Sequence, residues 1–194
     1  TLRAGDLLAI NKYAYQMKVP PINSPLMHFN NPKPGEIIVF SPPATITQQQ
    51  YPGLDPYKHY VKRIIAGPGD HIVYRNKQYI INDVPLHQTQ AHLEFIENTS
   101  RPSNTKEWMH IAQEELDHHP HQIQINSQRF DKNIIDIMVP AGHYFVSGDN
   151  RDNSMDSRYF GPIPQQWIVG QATHIIFHFG LPTIISFSRT SRLS

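Results

Sequence analysis

The chain has 194 residues, of which 39% are hydrophobic and only 17% are charged. This length is enough for one domain with a real core, or for two small ones. The formal net charge of +1 gives no basis for a nucleic-acid partner. Cysteine is absent, which excludes disulfides, a thiol nucleophile and thiolate zinc sites. No apolar stretch approaches the roughly 18 residues of a membrane span, and no signal peptide is visible.

Turn-forming residues divide the chain into short pieces. Proline occurs 17 times and glycine 10 times, with β-branched runs between them. This pattern favours short strands and loops over a helical bundle, and no amphipathic helix of ten residues is convincing. The sequence therefore predicts a mainly β protein.

The first sixty residues predict two strands and two irregular segments. A turn at Gly5-Asp6 precedes an apolar run suited to a buried strand, and a second run ends at Pro42-Pro43. A segment rich in Pro and Asn predicts a ribbon-like extension, and a Gln-rich segment predicts an exposed loop. In chain order these are the strand Leu7 to Ile10, the extension 17–34, the strand Glu36 to Phe40 and the loop 45–57.

Residues 60–70 read YVKRIIAGPGD, a strand that runs into a Gly-Pro-Gly-Asp turn. The twofold alternation of a strand puts Lys62 with Ile64 on one face, and Arg63 with Val61 on the other. One of the two charges must therefore point towards apolar neighbours. Two interpretations remain open: a lysine that snorkels from a half-exposed strand, or a lysine whose pKa is perturbed for function.

Residues 71–140 differ in character from the segments on either side. A hairpin is predicted around Arg75 to Gln78, and further alternating runs occur at His92 to Ile96 and Gln122 to Ile125. The dense histidine cluster at 117–121 contains no H-E-x-x-H motif, so we interpret it as a solvated loop rather than a metal site. Residues 136–140 and 143–146 are predicted to lead back to the core as strands.

The C-terminal residues are again strand-like. Trp167 to Thr173 and Ile175 to Phe179 predict a strand pair, and Ile184 to Phe187 predict a last strand before a basic, Ser-rich tail. The apolar residues of the second strand suit either a sheet core or contact with a bilayer surface.

The segment Ser147 to Pro164, SGDNRDNSMDSRYFGPIP, concentrates the polar residues of the chain. A solvated turn needs only a few such residues, so the density favours a site whose side chains satisfy one another. The segment resembles the C-terminal signature of bacterial type I signal peptidases, G-D-N-R-D-N-S-x-D-S-R-Y-x-G. Residues 62–70 resemble that family's K-R-x-x-x-x-P-G-D pattern. Gly5, Asp6, Lys12 and Tyr15 resemble its G-D-x-x-x-x-x-K-x-x-Y box.

The resemblance implies a Ser-Lys endopeptidase that cuts signal peptides from exported proteins. It implies that Lys62 is the general base and that the Ser154 hydroxyl positions its amine. The supporting residues that it implies are an ion pair of Asp156 with Arg158, loop-holding residues Asp149, Asn150, Arg151, Asp152 and Asn153, and a structural neighbour, Arg63. Ser154 as the nucleophile is the less favoured alternative.

The nucleophile of this family lies in a box resembling P-S-x-S-M-x-P-T, whose end aligns with Thr1-Leu2. The resemblance therefore places the serine about four residues before Thr1, and we expect the chain to be inactive by itself. Ser103 to Lys106 fits the S-x-x-K pattern of penicillin-binding proteins, but no K-T-G partner exists, so we interpret the match as chance.

The resemblance also implies a location, partners and a fold. The catalytic part would act on the outer, periplasmic face of the bacterial cytoplasmic membrane, on exported preproteins and beside membrane lipid, with no cofactor or metal. An extended Ala-x-Ala peptide would pair with strands beside the lysine by β-augmentation. Its expected lining is Leu2, Leu8, Tyr60 and Val61. The expected fold is an antiparallel, barrel-like catalytic core (1–74 and 140–194) with an inserted antiparallel β subdomain (75–139).

Two alternatives remain open at this point. One is a related Ser-Lys peptidase with a narrower substrate, such as a pilin-maturation peptidase. The other is a non-catalytic β module that binds extended peptides.

Overall fold

The structure is a computed structural model that describes residues 6–19, 24–28, 30–97, 106–117, 119–126, 128–131, 133–180, 184–186 and 191–192. The described chain is mainly β, with a large antiparallel sheet and smaller antiparallel sheets, which confirms the predicted fold class. The predicted turn at Gly5 and the predicted substrate contact Leu2 lie outside the described residues. The strands are β1 (Asp6–Asn11), β2 (Gln16–Val19), β3 (Ser24–His28), β4 (Ile37–Phe40), β5 (Tyr60–Ala66), β6 (His71–Arg75), β7 (Gln78–Ile81), β8 (Val84–Pro85), β9 (His87–Glu97), β10 (Lys106–Leu116), β11 (His119–Ile125), β12 (Ile135–Met138), β13 (His143–Ser147), β14 (Ile163–Pro164), β15 (Ile168–Gly180), β16 (Ile184–Ser186) and β17 (Ser191–Arg192).

The large sheet has the strand order β1-β15-β4-β5-β13-β14, and β16 and β17 also pair with β15. All four residues of β4 are buried because both faces of the sheet are covered there. Ile38 and Phe40 belong to one apolar cluster, whereas Ile37 and Val39 belong to another. The central strands therefore form a rigid support on which functional side chains are fixed.

Three smaller sheets complete the described fold: β12-β6-β7-β8, β11-β10-β9 and the ribbon β2-β3. The predicted hairpin after β6 is confirmed, and Asn76 and Lys77 both have positive φ, as a two-residue hairpin turn requires. The ribbon strands overlap the predicted 17–34 extension and begin one residue before it. Tyr74 and Tyr79 pack with Ile65 and Phe145 in a core between the large sheet and the β6–β7 hairpin.

Three sequence predictions of local structure were wrong. The β1 strand is not buried: the side chains of Leu7 and Ile10 are 41% and 37% exposed, since β1 is the edge strand of the sheet path and has register shifts. The predicted exposed loop 45–57, in contrast, is confirmed: it contains no helix or strand and most of its residues are exposed, although Leu54 is fully buried. The histidine cluster is not a solvated loop, because His121 lies buried in β11. The predicted C-terminal strand pair is one continuous strand, β15.

Helices contribute little to the described chain. The helix α1 (Ser157–Phe160) is a single turn, and a 3₁₀ turn covers Gln165–Trp167. Within the described ranges, no helix has the length and apolar character needed to cross a membrane.

Candidate active site

Lys62 and Ser154 are 92 residues apart in the sequence and are brought together by the fold. Lys62 lies on β5, and Ser154 lies in the loop between β13 and α1. The Lys62 Nζ donates to the Ser154 Oγ at 2.7 Å. Burial lowers the pKa of Lys62, and Arg158 acts in the same direction, whereas Asp156 and Asp149 partly oppose them. The arrangement favours a neutral amine held by a hydroxyl, as a lysine base requires.

Gly148 allows this contact by having no side chain. A Cβ atom at this position would lie 2.2 Å from the Ser154 Oγ and 3.5 Å from the Lys62 Nζ. The first distance is far inside van der Waals contact, and the Ser154 Cβ would be only 2.6 Å away. The close approach of the two loop segments therefore depends on glycine here.

Asp156 organises the loop on the far side of Ser154. It is the N-cap of α1 and is fully buried, and it accepts hydrogen bonds from the backbone N–H of Gly148 at 3.0 Å and of Arg158 at 3.2 Å. The Arg158 guanidinium donates to the two Asp156 carboxylate oxygens at 2.8 and 2.7 Å. Although burial alone would raise the pKa of Asp156, these partners hold it below its usual value. The expected pair is thus present as a buried, doubly bonded ion pair.

Arg63 forms a second pair of the same kind. Its Nε and Nη2 donate to Asp149 at 3.0 and 3.1 Å, and its Nη1 donates to the Gly35 carbonyl at 2.7 Å. Burial opposes the charge on Asp149, but Arg63 holds the pKa of the carboxyl below its usual range. Both side chains of the Lys62-Arg63 pair therefore have partners inside the fold, a carboxylate for Arg63 and a hydroxyl for Lys62.

Arg151 and Asp152 connect the Ser154 loop to residues 71–140, which lie between the K-R pattern and the C-terminal signature. Arg151 is buried, donates to Glu114 on β10, and has its guanidinium 4.8 Å from the centroid of the Tyr79 ring. Asp152 accepts from the Lys77 Nζ and from the backbone N–H of Asn126. These partners were not predicted from the sequence, because none of them belongs to a motif.

Ser147 joins the core tyrosines to the site. The Tyr79 hydroxyl donates to the Ser147 Oγ at 2.9 Å, and the Ser147 Oγ donates to Asp156 at 3.3 Å. Tyr74 accepts from Arg158 at 3.0 Å. The rings of Tyr79 and Tyr74 therefore pack against the guanidinium groups of Arg151 and Arg158, respectively.

The side chains surround a cavity of about 150 Å³ whose lining includes Lys62, Ser154 and Gly148 together with the apolar Ile37 and Val61. Its polar end holds the amine and hydroxyl, and its apolar end is shaped by strands β4 and β5. In this cavity an amine of lowered pKa lies beside a small apolar surface.

The predicted substrate contacts that the structure describes lie on two different faces of the sheet. Leu8 and Val61 pack together with Ile37 and Val39 on one face of the sheet. Tyr60 does not join them, because its ring stacks on Phe40 at 5.2 Å in the opposite core, and its contact with substrate stays a prediction. The cause is strand alternation, which directs neighbouring residues to opposite faces.

No metal centre is evident among the described residues, since no three or more His, Asp or Glu side chains are grouped to hold an ion.

Asn150 and Asn153 line the cavity. The backbone of Asn150 also forms a parallel bridge with Gln124 of β11.

The chain is similar to known proteins of one family. A family model described as "Signal peptidase, peptidase S26" matches residues 1–177. The chain is 31% identical over 206 residues to signal peptidase I of Pseudomonas fluorescens, and 29% identical over 208 residues to that of Pseudomonas aeruginosa. Both matches cover 100% of this chain but 66% of the relative, so the chain spans just under two thirds of their length. A crystal structure of a signal peptidase I from Enterococcus faecalis V583 is 26% identical, with a TM-score of 0.40, over 74% of this chain and 98% of that one.

Proposed function

Because the chain belongs to the signal peptidase (peptidase S26) family, we propose that it carries the catalytic base of a serine endopeptidase that removes signal peptides from exported preproteins. The observation that carries the proposal is the 2.7 Å contact between the Lys62 amine and the Ser154 hydroxyl. A surface lysine would be protonated and solvated, whereas this amine is largely withdrawn from water and its pKa is lowered.

In this proposal Lys62 acts as general base and then as general acid. A neutral amine donates one N–H to Ser154, which leaves its lone pair available for the proton of a serine nucleophile. The nucleophile attacks the scissile carbonyl, and the proton taken by Lys62 passes to the leaving amine. Water then hydrolyses the acyl-enzyme ester. The nucleophilic serine is the one that the family's box places about four residues before Thr1.

The strand that carries Lys62 offers an edge to an extended substrate. β13 pairs with β5 at Arg63, Ile64 and Ala66, and β4 pairs with β5 from Arg63 back to Tyr60. The backbone on the β13 side of 60–62 is thus placed for β-augmentation by a peptide that approaches the amine. Leu8 and Val61 supply the adjacent apolar surface, which suits small side chains of the Ala-x-Ala type.

An apolar surface near β1 supports a position beside a membrane. The side chains of Leu7 and Ile176 are 41% and 42% exposed on the paired strands β1 and β15. Ile175, in contrast, is buried in the sheet. We place the catalytic part on the outer face of the bacterial cytoplasmic membrane, with this apolar edge against lipid.

The test is cleavage of an Ala-x-Ala signal peptide in detergent by two forms of the protein. One is the 194-residue chain, and the other carries the family's serine box joined ahead of Thr1. We expect cleavage only by the second form, with a loss of about 10³-fold or more when Lys62→Ala is introduced. The matched control is Lys58→Ala, since Lys58 is a surface lysine.

Each other result has a defined meaning. Cleavage that survives Lys62→Ala would overturn the base assignment. Cleavage by the 194-residue chain itself would move the nucleophile to Ser154. Cleavage of a single maturation substrate only would indicate a specialised peptidase, and binding without cleavage would indicate a peptide-binding module.

A further inference from the structure

The three-stranded sheet β9–β11 extends directly into the loop that carries Ser154. The backbone N–H of Gln124 on β11 donates to the Asp149 carbonyl at 2.8 Å, and the N–H of Arg151 donates to the Gln124 carbonyl at 2.9 Å. Asn150 therefore pairs with Gln124 as a short parallel strand would. The first part of the loop is thus joined by a β-bridge to a sheet that contains none of the recognised motifs.

The buried carboxylate of Glu114 also holds the loop against this sheet. Glu114 on β10 is fully buried and accepts from both terminal nitrogens of Arg151, one of them at 3.0 Å. Gln88 on β9 donates to the same carboxylate at 2.7 Å, and the His121 Nε2 on β11 lies 3.3 Å from it. Each strand of the sheet thus contributes one side chain to the group that holds Arg151.

The contacts continue from Arg151 to both sides of Ser154. The Arg151 carbonyl accepts from Arg158 at 2.6 Å, and Arg158 is paired with Asp156. Asp156 in turn accepts from the backbone of Gly148, which lies against Ser154 and Lys62. A displacement of Arg151 would therefore be transmitted to the residues that set the distance between Lys62 and Ser154.

The geometry points to Glu114 as a positioning residue for the Lys62–Ser154 pair. It acts through Arg151, so the sheet β9–β11 is part of the catalytic support and not only a peripheral addition. The consequence for catalysis rests on the proposed function, whereas the positioning itself does not. A plain structural ion pair is the competing explanation, because breaking any buried pair leaves an uncompensated charge.

The test uses the 194-residue chain and needs no peptidase activity. The pH midpoint for labelling of the Lys62 amine by an amine-reactive reagent is measured by mass spectrometry, with the exposed Lys58 as internal reference. We expect the midpoint of Lys62 to lie below that of Lys58 in the wild-type chain. In Glu114→Gln the loop loosens and water reaches the amine, so the midpoint should rise towards that of Lys58.

Two further variants separate positioning from stability. Glu114→Gln/Arg151→Gln removes both charges, so it should recover stability lost in the single variant and serves if that variant does not fold. The double variant still lacks the ionic contact between residues 114 and 151, so its labelling midpoint for Lys62 should stay raised. Glu115→Gln is the matched control, since it makes the same change on the exposed side of β10. It should leave the midpoint at the wild-type value.

A second readout uses the form that carries the serine box. With both Glu114 variants we expect kcat to fall about 10- to 100-fold while KM changes by less than about threefold, because orientation is lost and the apolar surface at Leu8 and Val61 is retained. Unchanged Lys62 midpoints in folded variants would overturn the inference, whatever their melting temperatures. Absence of cleavage by the wild-type form would contradict the proposed function and leave the labelling result to decide the positioning role.

Discussion

At Gly148 a single hydrogen in place of a side chain permits the Lys62–Ser154 contact. We expect Gly148→Ala to push Ser154 away, because the added Cβ would lie 2.2 Å from its Oγ. Cleavage by the serine-box form should fall about 100-fold, as misplaced catalytic groups do. The control is Gly67→Ala, where the nearest atoms would be 3.8 Å from the added carbon. Equal cleavage by the two variants would contradict the role given to Gly148.

Side-chain contacts were anticipated where the residues belong to a motif and missed elsewhere, and the catalytic roles of these residues stay predictions. The resemblance named Lys62, Ser154, Asp156 and Arg158, and in the structure hydrogen bonds join the first two side chains and the last two. Glu114 was missed because one acidic residue on a polar strand indicates a solvated face in most proteins. The twofold alternation of side chains along a strand could have indicated its burial, since Glu114 lies on the same strand face as the buried Leu116.

The short helix α1 depends on Asp156 for both its cap and its charge balance. Asp156→Asn keeps an N-cap side chain but leaves Arg158 buried without its carboxylate partner. We expect a loss of about 3 to 5 kcal/mol in the free energy of unfolding, measured by urea denaturation. Asp83→Asn, at an exposed turn, serves as control and should change it little. A loss below about 1 kcal/mol for Asp156→Asn would show that the ion pair contributes little.

Elements were predicted best where turn residues mark their ends. The end of β4 before Pro42-Pro43 and the turn after β6 were located because such residues favour particular backbone angles. The prediction divided β15 into two strands, because alternating residues show the same pattern whether or not the strand is interrupted. The burial of β1 was wrong because an apolar run does not reveal whether its strand is central or at an edge.

For the whole molecule, the buried carboxylates predict a marked sensitivity to acid. Burial favours their neutral forms, but their arginine partners hold the pKa values of Asp149, Asp156 and Glu114 below the ordinary 3.8 and 4.5. The unfolded chain therefore binds these protons at higher pH than the native one does. Their contribution to stability is complete above the ordinary values and is lost as pH falls through the lowered ones.

We therefore expect the urea midpoint to fall steeply as pH decreases below about 4.5. Glu114→Gln/Arg151→Gln removes one of these carboxylates, so its midpoint should fall less steeply over the same range. A midpoint that stays constant between pH 6 and pH 3 would contradict the assignment of these groups as paired and ionised.

The class of fold was readable from the sequence, because frequent Pro and Gly between β-branched runs leave few alternatives to short strands. The division into a core (1–74 and 140–194) and an insert (75–139) stays a prediction. The contacts of Glu114 and Gln124 show why such a boundary is hard to infer: hydrogen bonds across it join the sheet β9–β11 to the loop of Ser154. Long-range pairing of this kind leaves no periodic trace in the sequence.

The central claim is that Lys62 acts as a neutral base, and the pH dependence of kcat/KM for an Ala-x-Ala peptide tests it most directly. The neutral amine is the active form, so the rate should be lost as pH falls through the lowered pKa of Lys62. The account predicts that this kinetic midpoint lies below 10.5 and coincides with the labelling midpoint of Lys62 in the same protein. A Lys62 labelling midpoint equal to that of Lys58, or a rate independent of that midpoint, would contradict it.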